Sequence, residues 1–462
     1  MTQTVSIPIS SIGGLTAKTN TSEFNINLTV LPPLSLYIHW PWCVRKCPYC
    51  DFNSHEYGAS LHSNTLDEHT EAQYIQALLR DLEYELPHIW GRRVYSIFIG
   101  GGTPSLMRPQ ALDTLLAGIR ARLPLEADAE ITLEANPGTV EAGRLLDFAT
   151  AGINRISIGV QTFNHQHLQA IGRIHDGHQA HHAVEMAVKA VSRVNIDLMY
   201  GLPDQTILQA ESDIAHALQL GVGHLSAYHL TLEPNTYFSR YPPRLPDEDC
   251  CADMQIAVDE QLKTAGFIHY ETSAYAQLNQ RCQHNQNYWS FGDYVGIGAG
   301  AHGKISFPNR IVRTVKHKHP KAYLEAAHLK VSHPLSNSTL NSNTLNSNIL
   351  NNSVLNNNIL NNNIMFNNPL IQLEQAVSVQ ELPFEFMLNS LRLQEGFDLA
   401  GFTERTGQPL IRIQKNLHQL QEKGLLNITV RSNNGVKNYS PTWVCPTALG
   451  NRFLNDVIES FL

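Results

Sequence analysis

Residues 37–52 read YIHWPWCVRKCPYCDF, and three cysteines in this stretch decide how the rest of the chain is interpreted. The apolar start predicts a short strand, so Cys43, Cys47 and Cys50 lie in the loop that directly follows it. Three thiolates with the spacing C-x3-C-x2-C on one loop suit a soft metal centre. A structural zinc site would need a fourth close ligand. The other cysteines form no second pair with that spacing: they are Cys250, Cys251, Cys282 and Cys445.

The three thiols could instead hold three irons of a [4Fe–4S] cluster, which leaves the fourth iron open to an exchangeable ligand. The carboxylate and amine of an amino acid could chelate that iron, as in S-adenosylmethionine (SAM). An electron passed through the cluster could then cleave the carbon–sulfur bond of SAM and generate a 5′-deoxyadenosyl radical. Tyr49 lies between the second and third cysteines, where an adenine could pack against it. A zinc site completed by a histidine, or three unconnected structural cysteines, are the alternatives.

Beyond the cysteines, short apolar runs alternate with helical patterns over roughly 200 residues. The clearest unit is the strand at 94–99, which ends in the glycine-rich turn 100–104 and is followed by an amphipathic helix. This alternation predicts an α/β fold, a parallel sheet curled into a full or partial (β/α) barrel, with ligands at the carboxyl ends of the strands. Further strands are predicted at 36–38, 130–134, 155–160, 195–199 and 224–228, and helices at 69–86, 141–151 and 178–191.

The pattern divides the chain into four segments. Residues 1–30 read as a flexible polar tail, and residues 31–330 as the barrel domain with an accessory segment. Residues 336–368 carry a five-residue repeat whose five copies offer too little core for a solenoid, so we expect an Asn-rich, disordered, low-complexity insertion. Residues 371–462 are predicted to form a mostly helical, winged-helix-like domain with a hairpin at Asn433-Asn434-Gly435.

Composition excludes several classes of protein. With 42% apolar and 16% charged residues in 462, the chain reads as a globular protein of two or three domains. The formal net charge of −8 argues against nucleic-acid binding, which needs basic surface. No run of about eighteen apolar residues occurs, so no membrane span is expected. Seven cysteines are few and odd in number, which favours a reducing cytoplasm.

The cysteine loop carries a resemblance to a known family. C-x3-C-x2-C with an aromatic residue before the last cysteine resembles the signature of the radical SAM superfamily. The longer run 37–55 resembles the branch that holds the oxygen-independent coproporphyrinogen III oxidases and the HemW heme chaperones. The resemblance covers about residues 34–330 and the C-terminal unit. It implies a radical SAM partial (β/α) barrel followed by the C-terminal domain of this branch.

The same resemblance implies roles for individual residues. The three cysteines match the cluster ligands, and the glycine-rich strand end matches the segment that approaches the SAM amino group. Arg173 matches a basic residue that faces the SAM carboxylate, and Asp197 a residue near the ribose or adenine. The full set implied for SAM is Tyr37, Tyr49, Gly101, Gly102, Thr103, Glu134, Gln161, Arg173 and Asp197.

Two features favour the chaperones over the oxidases within this branch. The oxidases carry a further cysteine two positions after the third ligand, where this chain has Phe52. The run from His284 to Trp289, HNQNYW, resembles the heme-binding motif of the chaperones. A neutral imidazole can ligate heme iron, so His284 is the candidate ligand, with His302 as a second.

We therefore expect a chaperone that binds a [4Fe–4S] cluster, SAM and heme and transfers heme to acceptor hemoproteins. If SAM is cleaved, an electron donor such as a flavodoxin or ferredoxin is expected. Whether the chain is an enzyme stays open at this point. The alternatives are oxidative decarboxylation of coproporphyrinogen III and another radical SAM reaction such as a methyl transfer.

Overall fold

The computed structural model describes residues 25–57, 66–89, 91–139, 142–328, 367–430 and 441–462. Its strands are β1 (Leu34–Trp40), β2 (Trp42–Cys43), β3 (His55–Glu56), β4 (Val94–Gly101), β5 (Leu125–Ala135), β6 (Arg155–Gln161), β7 (Arg193–Tyr200), β8 (His224–His229), β9 (Ile268–Glu271), β10 (Ala274–Ala276), β11 (Asp293–Ile297), β12 (His302–Phe307), β13 (Arg310–Lys316), β14 (Ile371–Ala376), β15 (Phe397–Asp398), β16 (Leu426–Val430) and β17 (Thr442–Pro446). Its helices are α1 (Glu68–Ile89), α2 (Pro109–Arg120), α3 (Ala142–Ala151), α4 (His165–Ala170), α5 (Gly177–Ala190), α6 (Ile207–Gln219), α7 (Tyr237–Arg240), α8 (Glu248–Thr264), α9 (Gln283–Trp289), α10 (Pro320–His328), α11 (Leu382–Ser390), α12 (Ala400–Thr406), α13 (Ile411–Glu422), α14 (Ala448–Arg452) and α15 (Leu454–Glu459).

One large mixed sheet organises the molecule. Its order is β14-β13-β12-β11-β1-β4-β5-β6-β7-β8-β10-β9. The strands from β11 to β8 in this order run parallel, and those at both flanks pair antiparallel. In the described part of the chain β14 and β9 do not pair with each other, so the barrel is open. The predicted α/β radical SAM fold with a partial barrel is confirmed.

The alternation forms because one face of the parallel strands is apolar and is covered by the helices, whereas the other face of β6 to β8 carries the polar residues that line the interior. All residues of β1 except Tyr37 are buried. Helix α2 turns Leu112, Leu115, Leu116 and Ile119 inward, the spacing expected of an amphipathic helix. Helices α5 and α6 both start with a capping box, at Asp176 and at Thr206 respectively. These caps fix where the chain leaves each strand end, and so position the loops that carry the site.

The C-terminal unit has its own small core. A three-stranded sheet, β15-β17-β16, packs with helices α11 to α15 around Phe386, Phe402 and Leu417. Helix α13 is followed by Gly424 at φ 70°, the left-handed conformation that commonly ends a helix. The hairpin predicted at 433–435 lies outside the described residues.

Two segments lie elsewhere than the sequence predicted. Ile371–Ala376 was predicted to belong to the C-terminal unit, but it pairs with β13 as the edge strand of the main sheet. Residues 25–28 were predicted as tail, but Ile26 and Leu28 are buried in the core of the C-terminal unit. The Leu28 amide also donates to the Pro308 carbonyl at 2.8 Å. These contacts are long-range, so local sequence patterns did not reveal them.

A buried ion cluster fixes the start of β14 to helix α1. Lys316 Nζ lies 2.6 Å from both an Asp81 and a Glu85 oxygen. Asn368 donates to the same two carboxylates at 2.9 and 3.0 Å. Asn368 is the last residue of the predicted Asn-rich insertion. Residues 336–366 of that insertion lie outside the described residues.

Candidate functional site

A cavity of about 330 Å³ opens at the carboxyl ends of the parallel strands, where the fold predicts ligands to bind. The cysteine loop forms one wall, the end of β4 a second, and strands β5 to β8 the rest. The structure brings together in this cavity nearly all the residues that the sequence singled out. They are Cys43, Cys47, Tyr49, Cys50, Gly101, Gly102, Thr103, Glu134, Gln161, Arg173 and Asp197.

Hydrogen bonds within the cysteine loop hold its shape. Strands β2 and β3 pair so that Cys43 lies opposite Glu56. Inside the loop, the Cys50 amide donates to the Cys47 carbonyl at 3.1 Å, and Lys46 Nζ donates to the Phe52 carbonyl at 3.0 Å. These bonds give the loop a defined course, which presents the three sulfur atoms to one cavity.

The chemistry of the thiols fits an iron–sulfur cluster. All three are free cysteines, and burial raises the pKa of the Cys43 and Cys50 thiols. Such thiols stay protonated until a metal displaces the proton. In the described part of the chain, no three His, Cys, Asp or Glu side chains are placed to hold one metal ion. The three sulfurs instead line a wall beside open space.

Arg173 reaches the sulfur of a cluster cysteine. Its Nη1 donates to Cys47 Sγ at 3.7 Å, and its Nη2 donates to Asn136 Oδ1 at 2.5 Å and to the Gly159 carbonyl at 2.6 Å. The resemblance implied that this residue faces the SAM carboxylate. The structure adds a second relationship, because the guanidinium is positioned to stabilise negative charge on Cys47.

Two carboxyl groups face the cavity from neighbouring strands. The Gly101 amide donates to Glu134 Oε2 at 3.1 Å. Burial and the nearby charge of Asp197 raise the pKa of Glu134 to about 8. Asp197 accepts from Asn195 Nδ2 at 2.8 Å and from Ser157 Oγ at 3.1 Å, and burial raises its pKa as well. Glu134 is therefore neutral near pH 7 and able to donate a hydrogen bond to a ligand.

The backbone is unusual at two strand ends that border the cavity: close packing excludes side chains at the end of β4, and β6 ends in a left-handed residue. Gly101 has φ 115°, and a Cβ on Gly102 would lie 2.5 Å from the Trp42 carbonyl oxygen. Gln161 has φ 70° although it is not glycine, and the pairing of β6 with β7 shifts register at this point. Left-handed backbone at a non-glycine residue costs energy and is concentrated at functional sites. This backbone conformation places Gln161 in the lining of the cavity.

Tyr37 does not line the cavity. Its hydroxyl bonds to His39 Nδ1 at 2.9 Å, and His39 Nε2 bonds to the Asn53 carbonyl at 2.8 Å. A carbonyl only accepts, so Nε2 carries the proton and the Tyr37 hydroxyl donates to Nδ1. Burial lowers the pKa of His39 to about 4, which keeps the ring neutral. Tyr37 is therefore connected to the cysteine loop through His39.

His284 lies in the interior, behind the cavity wall. Its side chain is 7% exposed, its Nδ1 bonds to Ser96 Oγ at 3.1 Å, and its ring lies 5.1 Å from that of Phe98. Phe98 and Asn285 line the cavity, whereas His284 does not. A heme macrocycle could reach this imidazole only if helix α9 moved. His302 is exposed at the start of β12 and also lies outside the cavity.

Comparison with known proteins agrees with this geometry. Residues 37–216 match the model of the radical SAM superfamily, and residues 377–431 match the HemN C-terminal domain. Heme chaperone HemW of Escherichia coli (strain K12) is 43% identical over 434 residues, which cover 94% of this chain and 99% of that protein. Heme chaperone HemW of Haemophilus influenzae is 41% identical over 438 residues, which cover 94% and 98% of the two chains.

This chain belongs to the HemW family of radical SAM proteins. Membership of the superfamily implies a [4Fe–4S] cluster and SAM as cofactors. The solved structure of coproporphyrinogen III oxidase (HemN) from Escherichia coli superposes with a TM-score of 0.69 at 20% identity, over 93% of this chain and 90% of that one. At that identity the match shows the shared fold. Within it, Phe52 lines the rim of the cavity and is 58% exposed.

The sequence reasoning missed several residues of this HemW-family site. His39 and Asn53 fix the cysteine loop, and Asn53 Nδ2 donates to the carbonyls of Ala299 and Lys318 at 2.9 and 2.8 Å. Arg155, Asn195 and the other residues at the bottom of the cavity were also missed. A signal existed for part of this set, because polar residues interrupt the apolar strand β7 at every second position.

Proposed function

We propose that this chain is a heme chaperone that holds a [4Fe–4S] cluster and SAM, binds heme and passes it to acceptor hemoproteins. The observation that carries the proposal is a cavity whose walls are three free thiols and a glycine-rich strand end, in a chain similar over its length to HemW proteins.

Cys43, Cys47 and Cys50 would hold three irons of the cluster. When bound, the cluster would supply an open iron that the amino and carboxylate groups of SAM can chelate, and an electron for SAM. Around that position, the backbone of Gly101 to Thr103 would border the amino group. Asp197 would accept from the ribose hydroxyls or the adenine, and Tyr49 and Gln161 would border the rest of the molecule. Neutral Glu134 can orient SAM without adding a second negative charge.

The size of the cavity restricts where heme binds. About 330 Å³ lies at the low end of volumes that hold a drug-sized ligand, so SAM and a heme macrocycle cannot share it. We therefore propose that heme binds outside the cavity, against the half-buried rings of Tyr288 and Trp289 on α9. His284 stays our candidate iron ligand, with the condition that α9 shifts to expose the imidazole.

Heme titration of the wild type and of His284→Ala tests this assignment, and His302→Ala tests the second candidate in the same way. We expect an altered Soret band and weaker affinity in the His284 variant only. An unchanged spectrum in that variant removes His284 as the ligand and leaves the proposed cluster site intact. Cluster iron content, measured after anaerobic reconstitution, shows whether each variant keeps its fold.

The rival activity is the oxidative decarboxylation of coproporphyrinogen III. At the position where the oxidases have a cysteine, this chain has Phe52, whose phenyl ring is exposed and carries no thiol. The test is an anaerobic assay of the reconstituted protein with SAM, a reductant and coproporphyrinogen III. Protoporphyrinogen formation at an enzymatic rate would overturn the chaperone proposal. Slow SAM cleavage without that product would instead call for an electron donor such as a flavodoxin or ferredoxin.

We place the chaperone in the cytoplasm, because all seven cysteines are free thiols. Among the helices that the structure describes, none is long and apolar enough to span a bilayer. Acceptor hemoproteins are its proposed partners, and a nucleic acid is not among them at a net charge of −8.

A further inference from the structure

The cavity continues below the SAM-side residues to the floor of the barrel. Side chains two positions apart on a strand point to the same face, so β6, β7 and β8 line the interior in layers. Ser157 pairs with Asn195, and Asn195 pairs with His224, which places these three at one level. The floor of the cavity is lined by Phe98, Arg155, Ser157, Asn195, His224, Ser226 and Asn285.

Most polar groups of this floor already have partners. Asn195 Nδ2 donates to Ser157 Oγ at 2.7 Å, and Asn195 Oδ1 accepts from Ser226 Oγ at 3.0 Å. His224 bonds through Nδ1 to Asn195 Oδ1 at 2.5 Å and through Nε2 to the Tyr270 hydroxyl at 2.8 Å. Burial lowers the pKa of His224 well below its usual value, so the ring is neutral. The hydrogen-bonded network of Ser157, Asn195, His224 and Ser226 therefore carries no charge of its own, and its bonds hold it in one arrangement.

Arg155 is the exception. Arg155 is 2% exposed, and among the described residues its guanidinium donates no hydrogen bond. Its closest acidic contact is from Nε to Glu130 Oε2 at 3.9 Å, beyond hydrogen-bond distance. Glu130 is already engaged by Arg193 Nη2 at 3.0 Å and by the His284 amide at 3.1 Å. Arg155 lines the cavity, so its free donors are accessible to a ligand there.

We propose that Arg155 binds the carboxylate of a small organic molecule held on the barrel floor, beneath the SAM position. The planar guanidinium matches a carboxylate through two parallel hydrogen bonds. Phe98 gives the chamber an apolar wall and Asn285 an amide at its base. Glu134 and Asp197 face the cavity above Arg155, so the molecule carries its negative charge only at the Arg155 end. This carboxylate site is separate from the proposed heme site on α9, and it would let the barrel hold a substrate beside SAM.

Sodium propionate and its neutral counterpart propionamide are the probes. Saturation-transfer NMR on the full chain, loaded with cluster and saturated with SAM, measures the binding of each. We expect binding of propionate and none of propionamide. Arg155→Gln should weaken propionate binding about tenfold or more, the usual scale for a charged hydrogen bond. Arg122→Gln, which removes an arginine paired with Glu83 on the outer surface, should change nothing.

The outcomes separate this proposal from the others. Iron content and SAM affinity should stay unchanged in Arg155→Gln; loss of SAM binding would assign Arg155 to SAM and overturn the proposal. Equal binding of both probes, no binding by the wild type, or binding untouched in Arg155→Gln would each overturn it too. Arg155→Lys keeps the charge without the planar donor pair. If Arg155→Gln does not fold, a loss of propionate affinity in Arg155→Lys supports the proposal, and unchanged affinity contradicts it.

Discussion

The imidazole of His39 lies directly against the α-carbon of Gly101. A methyl group on Gly101 would lie 2.6 Å from His39 Cε1 and 2.8 Å from each ring nitrogen. The same imidazole bonds to Tyr37 and to the backbone of Asn53. One neutral ring therefore links the glycine-rich end of β4 to the loop that carries the cluster cysteines.

Replacing Gly101 by alanine should disrupt both parts at once. The residue has φ 115°, so a side chain adds backbone strain of about 1–3 kcal/mol to the clash with His39. We expect Gly101→Ala to lower cluster iron content, SAM affinity and Tm together. Gly401→Ala is the control, because no atom lies within 4 Å of the Cβ it would add. A Gly101 variant with wild-type iron content and SAM affinity would show that the linkage is unimportant.

The buried ion cluster gives a prediction about stability. Lys316→Met leaves the carboxyl groups of Asp81 and Glu85 buried without their cation. Breaking such a cluster costs about 3–5 kcal/mol, which chemical denaturation can measure. Lys321→Met removes an exposed lysine that lies 4.0 Å from Glu325, and should change stability by less than about 1 kcal/mol. Equal effects of the two substitutions would contradict this interpretation of the cluster.

Glu134 predicts a pH dependence in the absence of SAM. Its pKa is about 8 in the folded protein and near 4.5 when exposed, so the folded state binds the extra proton. Stability contributed by this proton is complete below about pH 4.5 and is lost as the pH rises to about 8. The slope is at most about 1.4 kcal/mol per pH unit.

Glu134→Gln should remove that part of the slope, because an amide does not titrate. Denaturation of the SAM-free protein between pH 5 and 8 measures it. Glu126→Gln, on the same strand but outside the cavity, should keep the wild-type slope. Identical slopes in all three proteins would show that the Glu134 carboxyl is ionised near neutral pH.

Features set by residues close together in the sequence were predicted, whereas contacts between distant segments were not. The cysteine spacing, the glycine-rich turn 100–104 and the alternation of strands and helices are local, and the structure brings these parts to one cavity. The antiparallel strands β12 to β14 were missed, and for β14 the reason is that its pairing with β13 joins segments on opposite sides of the insertion. The buried position of His284 could not be predicted, since a motif does not show which side of a helix faces the interior.

Arg173 gives the prediction that separates two roles of one residue. Its Nη1 donates to Cys47 Sγ, and a hydrogen bond to a cluster thiolate stabilises the more negative, reduced state. Arg173→Gln should therefore make the reduction potential of the reconstituted cluster more negative, as measured by a redox titration followed by EPR without SAM. Arg240→Gln is the control for loss of a positive charge near the cysteine loop. Arg240 lies on α7, which contacts that loop through the bond from the Phe238 amide to the Pro48 carbonyl.

The same variant also tests the role that the resemblance implied. If Arg173 serves only the SAM carboxylate, the potential without SAM stays at the wild-type value and only SAM affinity falls. If it serves the sulfur as well, both change, because Asn136 and the Gly159 carbonyl hold the guanidinium beside Cys47. Since the contact with sulfur forms before any ligand binds, we expect the shift in potential to appear in the SAM-free protein.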